Sequence, residues 1–209
     1  MKNINIEKVE EISKIKKEPL WMKNFRINAY KKFIELNNPN FGPKLDIDFD
    51  IINYYKKISD LKDNWNDVDK DIKETFDKIG LIEAEHKYLD GVGAQFDSEV
   101  VYHNMLEYLE EKNVIFCDTD TALKKYPDIF KKYFNNLVKY DENKYTALNG
   151  AVWSGGTFIY IPPNTTIDRP LQSYFRINSK NMGQFERTII VVGENSSLHY
   201  MEGCTAPTY

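Results

Sequence analysis

The spacing of apolar residues changes once along this chain, from a helical 3.6 to a strand-like 2 at about Tyr145, and that change divides the fold into a helical part and a strand-rich part. Pro19 opens a segment in which Trp21, Phe25, Ala29 and Phe33 recur at four-residue spacing, which predicts one aromatic stripe on one helix face. Asn37-Asn38-Pro39-Asn40-Phe41-Gly42-Pro43 is dense in turn formers and breaks that helix. Ile72, Phe76 and Ile79 predict a second helical face that stops at Gly80. Asp97 or Ser98 is placed to cap a third helix carrying Val101, Met105, Leu106 and Leu109. Asp118 to Asp120 cap a short fourth, which Pro127 ends, and Ile129 to Val138 supply a fifth.

Beyond Tyr145, Thr157 to Ile161, Leu171 to Ile177, Phe185 to Val192 and Ser197 to Glu202 are four strand candidates that start every 12–14 residues. A sandwich, a barrel and a coiled β solenoid all have that rhythm. Four strands leave two open edges, which invite pairing with further strands, and a short repeat stack needs a cap. The expectation is a truncated sheet that continues in residues beyond Tyr209 or on another chain. The predicted fold class is α+β, with an N-terminal helical domain over residues 1–140 and the start of a β domain over 141–209.

The 209 residues suit one or two domains, and 42% apolar, 14% aromatic and 29% charged residues describe an ordinary folded chain. A net charge of −4 argues against a dedicated nucleic-acid surface, so protein or metal partners are expected. No apolar run approaches the roughly 20 residues that span a bilayer, and no hydrophobic signal core follows Lys2, which predicts a cytoplasmic protein without membrane contact.

Cys204 sits in a glycine turn, Gly203-Cys204-Thr205-Ala206-Pro207, where Pro207 should keep the backbone extended or turned. An accessible thiol at a strand end can act as a nucleophile or a ligand, although residue type alone favours an inert, partly buried cysteine. His199 lies at an odd offset from Cys204 and so on the opposite face of a regular strand, which leaves no Cys/His pair. Cys117, 87 positions earlier, follows an apolar run and reads as a core filler. The two cysteines have neither zinc nor disulfide spacing, and reduced thiols are expected. His86 and His103 fall within helical patterns beside aromatic residues, read as packing or surface residues, and neither is assigned a metal.

Arg187 alternates with Phe185, Ile189 and Val191, and Glu186 with Thr188, Ile190 and Val192, so each face of that strand would carry one charge. Either solvent at a strand end or an internal ion pair would satisfy them. Arg176, with Gln172 and Tyr174 on its face, raises the same question. Phosphate loops, nucleophile elbows and paired-carboxylate signatures are missing from the sequence, and Gly155-Gly156 reads as a turn.

Six segments together resemble SufB, the scaffold subunit of the SUF iron–sulfur cluster assembly system. They are Gly91-Val92-Gly93-Ala94-Gln95-Phe96-Asp97-Ser98-Glu99, Phe116-Cys117-Asp118, Phe158-Ile159-Tyr160-Ile161-Pro162-Pro163, Tyr174-Phe175-Arg176-Ile177-Asn178, Gly183-Gln184-Phe185-Glu186-Arg187-Thr188 and Glu202-Gly203-Cys204-Thr205-Ala206-Pro207. The resemblance implies an N-terminal helical domain followed by the first coils of a right-handed parallel β-helix. It also implies a SufD-like homologue as β-helix partner, a SufC-like ATPase, and a SufS desulfurase with a SufE- or SufU-type sulfur carrier.

By the same resemblance Cys204 is the residue that first receives sulfur, and Arg176 and Asn178 belong to the same assembly function. A thiolate attacks a persulfide sulfur, and a nearby guanidinium could stabilise the thiolate. The cargo is a transient iron–sulfur cluster, for which Cys204 is a candidate ligand with its other ligands outside this chain. The chain is then a non-enzymatic scaffold whose ATPase and desulfurase activities reside in partners. Members of the family are about twice as long, so this chain could accept sulfur without finishing a cluster or gripping the ATPase. The competing reading is a protein-interaction module, β-helix or β-sandwich, with a structural Cys204, or an inactive fragment of the scaffold.

Overall fold

Asn5 starts the first helix of the computed structural model, which describes residues 3–43 and 45–206, so that Pro207 lies outside the described residues. Its extended backbone and a side chain accepting from the Lys8 N–H cap α1 (Ile6–Lys16), which Lys17 ends at a left-handed φ of 54°. Helix α2 (Leu20–Glu35) follows Pro19 as predicted, but its buried face is Met22, Arg26, Ala29 and Phe33. Trp21 and Phe25 stand on its flank, each edge-on to Phe134. The face is rotated because Arg26 is fully inside. Glu18 accepts from its Nε at 2.8 Å and its Nη2 at 2.6 Å, the Ala151 carbonyl accepts from Nη1 at 3.2 Å, and the Trp153 ring lies 4.7 Å away. A buried charge is tolerated only when so completely partnered.

Helices α3 (Lys70–Asp77) and α4 (Leu81–Tyr88) meet at Gly80, whose φ of 72° confirms the predicted stop. Ile72 and Phe76 enter the core, whereas Ile79 is 45% exposed. The third predicted helix is overturned. Strands β1 (Gly91–Phe96) and β2 (Glu99–Met105) form an antiparallel hairpin there, and Asp97 turns it with a φ of 50°. Strand β1 is buried at every residue because it lies between two neighbours, so its sequence does not alternate. His103 therefore sits on a strand and not in a helical pattern.

Helix α5 (Glu107–Glu111) leads to strand β3 (Ile115–Asp118). Asp118 caps α6 (Thr119–Lys125) as predicted, accepting from the Thr121 N–H at 2.8 Å. Pro127 does not merely stop that helix. It occupies the first turn of α7 (Pro127–Tyr133), where its missing N–H costs nothing. Tyr145 lies inside another helix, α8 (Lys144–Val152), started by a capping box of Asn143 and Thr146, so the strands begin only with β4 at Thr157.

The later strands are β4 (Thr157–Ile161), β5 (Leu171–Arg176), β6 (Ile189–Val192) and β7 (Tyr200–Thr205). They join two sheets in the orders β2-β1-β5-β7 and β3-β4-β6. β1 with β5, β5 with β7, and β4 with β6 pair in parallel, whereas β3 and β4 are antiparallel. From β4 onward the chain visits the two sheets alternately. The fold class is α+β, with mixed sheets, and neither sheet closes into a barrel among the described residues. The sheets begin at Gly91, well inside the segment expected to be helical, because β1 and β3 supply partners for β5 and β4.

Helices α1, α2 and α8 share one core around Ile12, Phe33 and Val152, while Phe116, Ile159, Ile161 and Leu171 fill another between the sheets. Gly155 and Gly156 make the turn into β4 at φ values of 70° and 95°. A Cβ on Gly156 would overlap the backbone of Arg187. No helix among the described residues is long and apolar enough to cross a membrane.

Candidate functional site at the β7 edge

Strand β7 is the outermost strand of its sheet among the described residues, and it pairs in register with β5 so that Phe175 stands opposite Cys204 and Arg176 opposite Thr205. Paired residues share a face and successive residues alternate. Cys204 therefore shares a face with Phe175, Glu202 and Ser173. The Ser173 and Thr157 hydroxyls meet at 2.6 Å across the two sheets, so that face looks into the space between them. Ser173 and Phe175 are buried, whereas Cys204 is exposed, since β7 has no second neighbour among the described residues.

Arg176 is on the opposite face from the thiol. Its Nη1 donates to Thr205 Oγ1 at 3.0 Å, and its Nε is buried without a partner among the described residues. The strands thus bring Arg176 to the residue after Cys204 and not against the sulfur. Asn178 lies in the loop beyond β5, exposed, with its N–H donating to Asp97 Oδ1 at 2.6 Å. Ile177 donates its N–H to the Thr205 carbonyl at 3.0 Å. The three candidate residues are brought to one end of the β5–β7 pair, connected through Thr205 and Asp97.

His199 precedes β7 and is exposed, and its carbonyl accepts from the Leu171 N–H at 3.0 Å. Cys117 packs with Met22, Ala122, Leu123 and Phe130, and burial pushes its thiol up, as a core filler requires. Tyr200 places its hydroxyl between Thr157 Oγ1 at 3.2 Å and Glu202 Oε2 at 2.9 Å, and burial pushes its phenol up.

Glu186 and Arg187 satisfy neither alternative posed for them, since they precede β6, are partly buried and form no ion pair among the described residues. Arg187 donates from Nε to Asn149 at 2.9 Å and stacks 5.0 Å from the Phe134 ring, and burial lowers its pKa to about 10. Glu186 has a buried Oε2 without a partner among the described residues, and burial followed by the Glu202 charge pushes its carboxyl up.

The sequence places Asp97 or Ser98 at a helix cap, yet Asp97 is fully buried at the hairpin turn with its carboxylate on the Asn178 loop. An Asp-Ser pair after an apolar run is equally a turn signal.

Among the described residues, no group of three or more His, Cys, Asp and Glu side chains could hold a metal ion. Among the described residues the edge offers a single thiol, that of Cys204.

Residues 7–173 match the model of the SufBD protein N-terminal region. Iron–sulfur cluster assembly SufBD family proteins of Staphylococcus epidermidis and Staphylococcus aureus are each 56% identical over 203 residues, which cover 96% of this chain and 44% of the relative. That of Staphylococcus saprophyticus is 55% identical over the same length. The chain spans less than half the length of these curated relatives. By the extent of the family match and by the strands that carry its segments, this chain belongs to the SufBD family.

Proposed function

We propose that the chain is the N-terminal part of a SufB-type scaffold for iron–sulfur cluster assembly and that Cys204 is its sulfur acceptor. The observation that carries this reading is the exposed thiol on an edge strand, within Glu202-Gly203-Cys204-Thr205-Ala206, on a face shared with buried neighbours. The Cys204 thiolate attacks the outer sulfur of a carrier persulfide, a new S–S bond forms at Cys204, and the carrier leaves as its thiolate. The exchange is redox-neutral and requires no metal.

The cluster is the cargo, and this chain contributes one thiolate toward it. Arg176 and Asn178 serve the same end of the sheet by shaping its backbone. The alternation of β4 to β7 between two sheets, with parallel pairing, supports the first coils of a right-handed parallel β-helix. Such a β-helix would join a SufD-like homologue, with a SufC-like ATPase hydrolysing nucleotide and a SufS desulfurase and SufE- or SufU-type carrier supplying sulfur in the cytoplasm. The scaffold itself catalyses neither reaction.

The test is to incubate the full chain with a cysteine desulfurase, its carrier and cysteine, and to map sulfur by mass spectrometry. Added sulfur on Cys204, lost in Cys204→Ser and retained in Cys117→Ser, is the expected result. An unmodified Cys204 beside a persulfidated carrier would overturn the reading.

A further inference from the structure

Six hydrogen-bonding groups converge on Asp97, a residue with no exposed surface. Its Oδ1 accepts from the Asn178 N–H at 2.6 Å and the Ser179 N–H at 3.1 Å, and its Oδ2 accepts from the Ser179 hydroxyl at 2.7 Å. Its own N–H donates to the Arg176 carbonyl at 2.7 Å, and its carbonyl accepts from Gln95 Nε2 at 3.2 Å and Gln184 Nε2 at 3.1 Å. The segment it grips reaches the thiol edge directly. Ile177 donates to the Thr205 carbonyl at 3.0 Å, and Arg176 Nη1 donates to Thr205 Oγ1 at 3.0 Å.

We infer that Asp97 is the positioning residue of the sulfur-acceptor edge, holding Arg176–Ser179 from inside the molecule so that this segment fixes Thr205 and, through it, Cys204. The inference deepens the proposed sulfur-acceptor reading and rests on it. Among the described residues β7 has one neighbour, and a strand end held by few bonds opens easily. At this end the two bonds to Thr205 supply the resistance, and both come from a segment that Asp97 locks. Transfer of sulfur from a docked carrier needs the thiolate aligned with the S–S bond, and small misplacements of a reacting atom are costly.

The carboxylate is required for a specific reason. Three donors approach its two oxygens. An amide keeps one oxygen for the two N–H donors but can only donate to the Ser179 hydroxyl, which must turn to accept, and it loses the charge that strengthens all three bonds. Asp97→Asn keeps a side chain that tolerates the left-handed backbone while removing the negative charge and reversing the bond to Ser179. It is therefore a narrow probe.

The test compares the full chain with Asp97→Asn, Thr205→Val and the double variant, by carrier-dependent persulfide formation on Cys204 at saturating carrier and by alkylation of Cys204 with iodoacetamide. Asp97→Asn is expected to slow sulfur uptake about tenfold, from the sensitivity of aligned transfer, while alkylation by the small reagent stays within about twofold of the parent because the thiol remains exposed. The double variant should be no slower than the slower single, since both changes act on one connection. Wild-type uptake in Asp97→Asn, or fully additive losses, would overturn the inference alone. Failure of the unaltered chain to take sulfur on Cys204 would overturn the acceptor reading beneath it. Should Asp97→Asn lose its cooperative unfolding transition, Ser179→Ala decides: slowed uptake with unchanged alkylation supports the inference, and unchanged uptake overturns it.

Discussion

Phe175 and Cys204 are register partners on adjacent parallel strands, yet the ring is 2% exposed and the thiol stands open to solvent. The difference follows from position in the sheet. β5 has neighbours on both sides, and β7 has one among the described residues. Two thiols of one chain are thereby given opposite chemistry, because Cys117 is enclosed by α6, α7 and β4 side chains.

Thiol titration of the native chain with a disulfide reagent should resolve one fast group and one that reacts only with unfolding. Burial pushes the Cys117 thiol up, so its thiolate is scarce as well as inaccessible. Cys204→Ser should abolish the fast phase and Cys117→Ser the slow one. Two fast phases in the parent would contradict the described core.

Stability should fall in mild acid through His103. Burial dominates its shift to about 4, with Asp63 and a Phe116 backbone bond opposing and Lys125 adding to it. The ring lies 4.7 Å from Phe116, and its Nε2 is buried without a partner among the described residues. The native ring stays neutral while the unfolded ring gains a proton below its ordinary value near 6.5. This contribution is complete above pH 6.5, declines as pH falls toward 4, and reaches at most about 3 kcal/mol. Urea unfolding of the parent and His103→Gln at several pH values measures it, and parallel curves for the two would refute it.

The Glu18–Arg26 pair has no exposed side-chain surface on either partner. Glu18→Gln would leave the guanidinium buried with a neutral partner, at a cost of about 3–5 kcal/mol. For a chain of this size that corresponds to a Tm lower by roughly 10 °C. Calorimetry showing an unchanged Tm would mean that water reaches the pair.

Gly156→Ala should destabilise the fold by about 2 kcal/mol or more, from backbone strain at positive φ and from overlap with Arg187. Chemical denaturation measures the loss. A neutral result would show that the turn into β4 can shift without disturbing Arg187.

Much of the local structure was legible in the residues themselves. Pro19 before α2, Gly80 after α3 and Asp118 before α6 act through the backbone within one turn, so they read correctly without knowledge of the fold. The β1–β2 hairpin did not, because Val101 and Met105 mimic a helical spacing and β1, buried on both sides, shows no alternation. Of the candidate site, Arg176 reads on its strand, whereas Cys204, expected in a glycine turn after a strand ending at Glu202, lies inside β7, and Asp97 reads as a cap because its partners lie about 80 residues away in sequence.

By itself the order of residues determined where helices and turns begin, which cysteine fills a core, and which family the chain resembles, since each depends on neighbours a few bonds distant. Tertiary packing alone decided that Arg176 faces away from the thiol, that Asp97 anchors its loop, and that Cys204 is open. Those outcomes depend on which distant strands pair and in what register, and pairing is settled by burying both sheets against one another.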